Sequence, residues 1–330
     1  MHLRRSLPHP LSLTFTLVLL IVLSACTPQA SENDGRKKIG AIVFQEDQYF
    51  RLVEYGMRDA AREMNVNLMV NNSFGAMDKE IALIDTYIAS RVDAIVVAPL
   101  SAQSSIAALR RAHEGGIPVI TYDSYLDADF DASNIRSDQV QLGHLTGQAA
   151  VKFIVEKLGG KAKVGLVEYV SLAPEPASQR VKGFKDQITT LPGVEIVTEQ
   201  DAWLAPEATV LVENMLTAHP EINLIWAANE GGTVGAVNAV TGKNRAGEVF
   251  VFGTDMSEQI GTFLLAEKPV LQAVTGQKPF DIGRQSVLAA VNVIDRKPVE
   301  KKVAMPGVLF STEKPQEVRD YMSFLEKVAR

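Results

Sequence analysis

The chain has 330 residues, 46% hydrophobic and 22% charged, with a formal net charge of −6. At this length a single hydrophobic core usually stops growing, so two domains are expected. The acidic balance, with no basic block, excludes the cationic footprint that nucleic-acid binding requires.

In chain order, the first 26 residues read as targeting sequence. Arg4 and Arg5 form a positive leader, and LSLTFTLVLLIVL (11–23) is an apolar run too short and too close to the terminus for a spanning helix. Leu23-Ser24-Ala25-Cys26 follows, with small residues before the only cysteine of the chain. This resembles the lipobox of bacterial lipoproteins, which implies a signal peptide over 1–25 and a lipid on Cys26. The alternative is a secretory signal with a coincidental cysteine. A single cysteine allows no intrachain disulfide. Residues 26–37 are the lipidated Cys and a polar, turn-rich stretch, which reads as a flexible tether.

From Lys38 onward, short apolar runs alternate with longer amphipathic stretches. The runs are IGAIVF (39–44), VNLMVN (66–71), DAIVVAP (93–99), PVITYD (118–123), AKVGLVE (162–168), VEIVTE (194–199), NLIWAA (223–228), EVFVFGT (248–254), VLQAVT (270–275) and VAMPGVL (303–309). Several are apolar on both faces and rich in Val and Ile, as strands of a helix-covered parallel sheet are. Between them, 50–64, 79–90, 208–219 and 281–294 carry helical periodicity. Pro206-Glu207 and Pro315, flanked by acids at 313 and 317, open helices, while Gly115-Gly116 and Gly159-Gly160 close two others. The alternation predicts an α/β fold with right-handed crossovers, as ten strands in two sheets of about five each.

Ligands of open α/β sheets bind outside the carboxyl ends of the strands. Five strand ends carry short polar groups: Asp47 with Tyr49 and Phe50, Asp123-Ser124, Asn229-Glu230, Asp255 and Gln277. Arg180 and Trp203 follow two further strands. Singly, an Asp or Asn before a helix is an N-cap, a Trp is core and an Arg is a solvated face. Repetition at strand ends favours a ligand site. Carboxylates accept hydroxyl protons, Asn and Gln both donate and accept, and Arg donates in a planar fork. Aromatic rings suit the apolar C–H face of a sugar.

The stretches YFRLVEYGM, GGIPVITYDS, NIRSDQVQLG, ASQRVKGF, NMLTAHPEINLIWAANE, VFGTDMS and QAVTGQKPFDIG, in this order and spacing over about 38–310, resemble the ribose-binding branch of the periplasmic sugar-binding proteins of ABC importers. The resemblance implies a type I periplasmic-binding fold, with two doubly wound parallel-sheet lobes joined by a three-crossing hinge. The N-terminal lobe would take 38–137 plus 278–306, and the C-terminal lobe 138–277 plus 307–330. It implies a sugar or polyol ligand held by Asp47, Tyr49, Phe50, Asp123, Ser124, Arg180, Trp203, Asn229, Asp255 and Gln277, with closure read by ABC permease transmembrane subunits. The family often has Asn at the position of Asp47 and Arg at that of Ser124, so this chain departs from its pattern twice. With Asp47, Asp123, Asp255 and Glu230 against Arg180, a neutral pentose, hexose or polyol is expected. The chain would be an extracytoplasmic monomer, held to the membrane by its lipid, with no cofactor or metal.

An enzyme is the first rival. The chain lacks G-x-x-x-x-G-K-[ST], G-x-S-x-G, H-E-x-x-H and any Cys/His cluster. His113, His144 and His219 lie beside no candidate nucleophile. Repressors of the lac type share the two-lobed fold but carry an N-terminal helix-turn-helix, where this chain has a leader and tether. A ligand-sensing co-receptor for a sensor kinase or chemoreceptor is the alternative to a transport role.

Overall fold

The computed structural model describes residues 35–328, so the leader, Cys26 and most of the tether lie outside the described residues. The first sheet is built from β1 (Lys38–Val43), β2 (Asn67–Asn72), β3 (Ala94–Val97), β4 (Val119–Tyr122) and β5 (Ser133–Ser137), linked through α1 (Gln48–Glu63), α2 (Met77–Ala89) and α3 (Ile106–Glu114). The chain then passes to α4 (Gln139–Lys157), β6 (Lys161–Glu168), α5 (Pro174–Ile188), β7 (Gly193–Asp201), α6 (Ala205–Ala218), β8 (Leu224–Ala227), α7 (Glu230–Gly242), β9 (Phe250–Thr254), α8 (Glu258–Leu264) and β10 (Leu271–Gly276). It returns for α9 (Pro279–Ile294) and β11 (Lys302–Met305), then crosses again for β12 (Val308–Ser311) and α10 (Pro315–Val328).

The sheet orders are β11-β5-β4-β3-β1-β2 and β12-β10-β9-β8-β6-β7. They match position for position, so the two lobes are repeats of one doubly wound design. All pairings in the first sheet are parallel, and β12 alone runs antiparallel in the second. Central strands are apolar on both faces because helices cover both: Ile39, Ile42, Ile95, Ile120, Leu166 and Ile225 are fully buried, each contributing about 2–3 kcal/mol of transfer free energy.

Twelve strands replace the ten expected. VAMPGVL divides into β11 and β12, which belong to different sheets, because Pro306 and Gly307 interrupt it where the chain crosses between lobes. A Cβ on Gly307 would stand 2.5 Å from Leu142 Cδ2 and 2.6 Å from Thr275 Cγ2. β5 is the second addition. Its sequence SNIRS lacks an apolar run, yet Ser133 and Asn134 are buried. Ser133 Oγ donates to Glu300 O (2.7 Å), and Asn134 Nδ2 donates to Thr121 Oγ1 and Ser124 O (both 2.8 Å), so its polar groups are satisfied inside.

Close helix pairs stiffen each lobe. Gly143 of α4 faces Arg180 O of α5, and Gly183 of α5 faces Val140 O of α4; a Cβ would lie 1.9 and 2.0 Å from those oxygens. Gly56 of α1 and Gly283 of α9 repeat the arrangement in the first lobe, each with 1.9 Å. Glycine lets these backbones touch.

Candidate functional site

The carboxyl ends of the two sheets face one cavity of about 840 Å³. It is lined from the first lobe by Asp47, Tyr49, Phe50, Asp123 and Ser124, and from the second by Arg180, Trp203, Asn229 and Asp255, with Gln277 at a crossing. Every residue singled out at the strand ends therefore borders the same space. Their side chains do different things there.

Asp123 and Asp255 occupy equivalent positions, one residue past β4 and β9. Both have left-handed backbone, with φ of 59° and 72°. Each donates its N–H to the next strand of its sheet, to Ile135 O and Thr275 O (both 2.9 Å). The left-handed conformation costs a non-glycine residue on the order of 1 kcal/mol, least for short polar side chains. Here it turns each aspartate off its strand at the cavity.

Tyr49 Oη donates to Asp123 Oδ1 at 2.8 Å. Burial raises the Asp123 carboxyl above its ordinary pKa; the Tyr49 hydroxyl and the Arg180 charge oppose this, while the charges of Asp255 and Asp47 add to it. Burial and the neighbouring Asp123 push the Tyr49 phenol well above its usual value, so it stays a donor. Each oxygen of Asp255 accepts one bond within the protein and keeps a further lone pair: Gln277 Nε2 donates to Oδ1 (2.8 Å) and Glu230 N to Oδ2 (3.1 Å). Burial also raises the Glu230 carboxyl, with the charges of Asp255 and Asp47 adding to the effect.

Arg180 is buried and fixed. Its Nε and Nη2 donate to Gln139 Oε1 (3.0 and 2.6 Å), and Nη1 donates to Ala228 O (2.7 Å), with Asp255 Oδ2 at 3.8 Å. Its guanidinium lies 5.6 Å from the centre of the Tyr169 ring, whose other neighbour is Trp203, edge-on at 5.2 Å. Trp203 is 43% exposed and borders the cavity, so it is a wall rather than core.

The capping explanation holds for two of the acids and amides. Asp47 Oδ1 accepts from Phe50 N (2.9 Å) and caps α1. Asn229 Oδ1 accepts from Gly232 N (3.0 Å), and its Nδ2 donates to Trp203 O (2.8 Å). Asn229 thus caps α7 and pins the Trp203 segment. Ser124 spends its hydroxyl on Pro99 O (2.9 Å). Phe50 is buried against Phe44 (ring centroids 4.3 Å) and Tyr49 (5.1 Å), and backs the Tyr49 ring.

Tyr169, Gln139, Arg136, Glu175, Tyr125 and Tyr321 also border the cavity and were not singled out in the sequence. Tyr169 stands one residue past β6, as Asp123 and Asp255 stand past β4 and β9, and is open to the same reading. Gln139 and Arg136 flank the cap Asp138 on a polar stretch without periodic signal. Tyr321 lies on α10, where amphipathicity marks a packed face but not what that face meets. No group of three His, Cys, Asp or Glu side chains among the described residues could hold a metal.

Two like lobes with polar and aromatic groups converging from both strand-end faces define a hinged small-molecule-binding protein. Residues 41–298 match the family model described as a periplasmic binding protein domain, and the chain belongs to that family. It is 30% identical over 304 residues to the ABC transporter periplasmic-binding protein YphF of Escherichia coli (strain K12), covering 90% of this chain and 92% of that one. It is 27% identical over 301 residues to the ribose import binding protein RbsB of Bacillus subtilis (strain 168), covering 89% and 95%. Among solved structures, it is similar to an ABC transporter periplasmic solute-binding protein from Actinobacillus succinogenes 130z with bound D-allose. That match has a TM-score of 0.76 and 26% identity, covering 86% of this chain and all of that one. The family consists of extracytoplasmic solute-binding proteins rather than enzymes.

Proposed function

We propose that this chain is the substrate-binding lipoprotein of an ABC importer. It takes a neutral monosaccharide or polyol between its lobes and presents the closed form to a permease, anchored through a lipid on Cys26 and acting as a monomer. The observation that carries the ligand class is the pair of equivalent aspartates, Asp123 and Asp255, held in left-handed backbone on opposite lobes around one cavity. Asp123 keeps an acceptor oxygen beyond its bond to Tyr49, and Trp203 and Tyr169 supply apolar faces. Hydroxyls of a ring match such a set, and the wrong stereoisomer leaves buried groups unpaired at about 1–3 kcal/mol each. Charge selects against acids: Asp47, Asp123, Glu175, Glu230 and Asp255 border the cavity with Arg136 and Arg180. Similarity to ribose-import relatives and to an allose-bound structure supports the same class.

Thermal shift and calorimetry on residues 27–330, with pentoses, hexoses, polyols and sugar acids, test this reading. A micromolar neutral ligand should add about 4 kcal/mol at a thousandfold excess. Asp123→Ala and Asp255→Ala should each abolish that gain. Tight binding of a sugar acid, or silence across the neutral panel, would overturn the assignment.

A further inference from the structure

Arg136 is the penultimate residue of β5 in the first lobe, and Glu175 stands in the first turn of α5 in the second. Arg136 Nη1 lies 3.2 and 3.3 Å from the two Glu175 oxygens. Among the described residues this is the one ion pair whose partners belong to different lobes. Other links between the lobes are of another kind. Ser137–Gln277 and Asp138–Met305 are hydrogen bonds at the crossings, and Phe280 meets Phe324 ring to ring.

Both partners are held in place. Gln179 Nε2 donates to Glu175 Oε1 at 2.6 Å from one turn along α5, and the Arg136 guanidinium lies 5.8 Å from the centre of the Tyr125 ring. Restrained side chains lose less entropy on pairing than free surface ones. The side chains are 29% and 35% exposed, shielded enough to attract and open enough for salt to screen.

We propose that Arg136 and Glu175 are positioning residues that set the free energy of lobe closure, so that the affinity for an uncharged ligand depends on ionic strength. Arg136 stands one residue before the crossing at Ser137–Asp138 and Glu175 on the opposite lobe, so an opening of the lobes would pull them apart. A ligand that binds the closed form pays for the fraction of molecules not already closed. A protein–protein ion pair made on closure raises that fraction before any ligand arrives. A neutral sugar carries no charge of its own to be screened, so salt dependence of its binding reports the pair. The second readout below rests on the proposed sugar-binding role; the first does not.

The first readout is the interlobe distance distribution of the full chain in detergent, by spin labels at Thr86→Cys on α2 and Val210→Cys on α6, without sugar. Raising salt from about 20 to about 500 mM should deplete the short-distance population by screening the pair. Glu175→Gln should show the high-salt distribution at low salt and lose its salt response, and Arg136→Glu combined with Glu175→Arg should restore both. The second readout is calorimetry with the neutral sugar that binds best. Glu175→Gln should weaken binding about five-fold at low salt, equivalent to about 1 kcal/mol, and by little at high salt. A wild-type distance distribution indifferent to salt overturns the proposal, and this holds even if a variant misfolds. Weaker binding at all salts with unchanged distances also overturns it, making Glu175 a direct ligand contact. Failure of every sugar with a salt-responsive distance would remove the sugar reading and leave the ion pair standing.

Discussion

Asp123 shows how one residue divides its service between ligand and fold. Its carboxyl is raised by burial, so its ionised form costs folding free energy. The stability it contributes is full below the ordinary carboxylate pKa and is lost as pH rises through the folded value. The bond from Tyr49 lowers that folded value. Removing it with Tyr49→Phe should push the Asp123 pKa higher. Ligand affinity in the variant, measured by calorimetry from pH 4 to pH 7 (about the range in which carboxyls titrate), should therefore fall off at a higher pH than in wild type as the medium is acidified. An unchanged acid limb would mean that Asp123 is not the acceptor that matters. The candidate site was legible at this scale because strand ends are where α/β sheets keep their ligands, and short acids and amides there are conspicuous. What could not be read was how each side chain spends its bonds. Asp47, Asn229 and Ser124 look alike in the sequence, yet each turns an oxygen or amide inward to the fold.

At the scale of elements, α4 and α5 touch through reciprocal glycines, and the contact bears on the site. Gly143 packs on the carbonyl of Arg180 itself, so the position of the guanidinium depends on how closely the two helices approach. A methyl at Gly183 would stand 2.0 Å from Val140 O and 2.9 Å from His144 N. Neither is a flexible side chain, so the helices must part. Gly183→Ala should cost roughly 1–3 kcal/mol of stability by overpacking, seen as a lower Tm, and should weaken ligand binding by displacing Arg180 from Gln139 and Ala228. Intact affinity in a destabilised variant would show that Arg180 is placed by its hydrogen bonds rather than by the helix contact. Helices and apolar strands were legible from periodicity, with boundaries within a few residues. β5 was not, because its polar side chains are satisfied by Thr121, Ser124 and Glu300, which no local pattern announces. Similarly, VAMPGVL has the apolar content of one strand, and only Pro306-Gly307 hints that it serves two sheets.

For the whole molecule, length indicated two units and alternation indicated α/β, but neither marked where the chain crosses between lobes. The crossings hold ordinary residues, and their role comes from pairing partners far away in sequence. One of them reaches the site through a short relay. Ser137 Oγ donates to Gln277 Oε1 at 2.6 Å, and Gln277 Nε2 donates to Asp255 Oδ1 at 2.8 Å. Ser137 ends the first crossing's strand and Gln277 follows β10 into the second, so the bond ties two crossings to the orientation of a cavity carboxylate. Ser137 itself does not border the cavity. If the relay holds the amide of Gln277 in the orientation that serves Asp255, Ser137→Ala should weaken ligand binding by the net worth of one buried hydrogen bond, about 0.5–1.5 kcal/mol or two- to ten-fold. The loss should appear chiefly in the dissociation rate, because the lobes still meet the ligand as before and only its retention depends on the relay. Stopped-flow Trp fluorescence separates the two rates. A dissociation rate equal to that of wild type would mean that Gln277 holds its orientation without the crossing, and that the hinge and the site are joined only by the ligand.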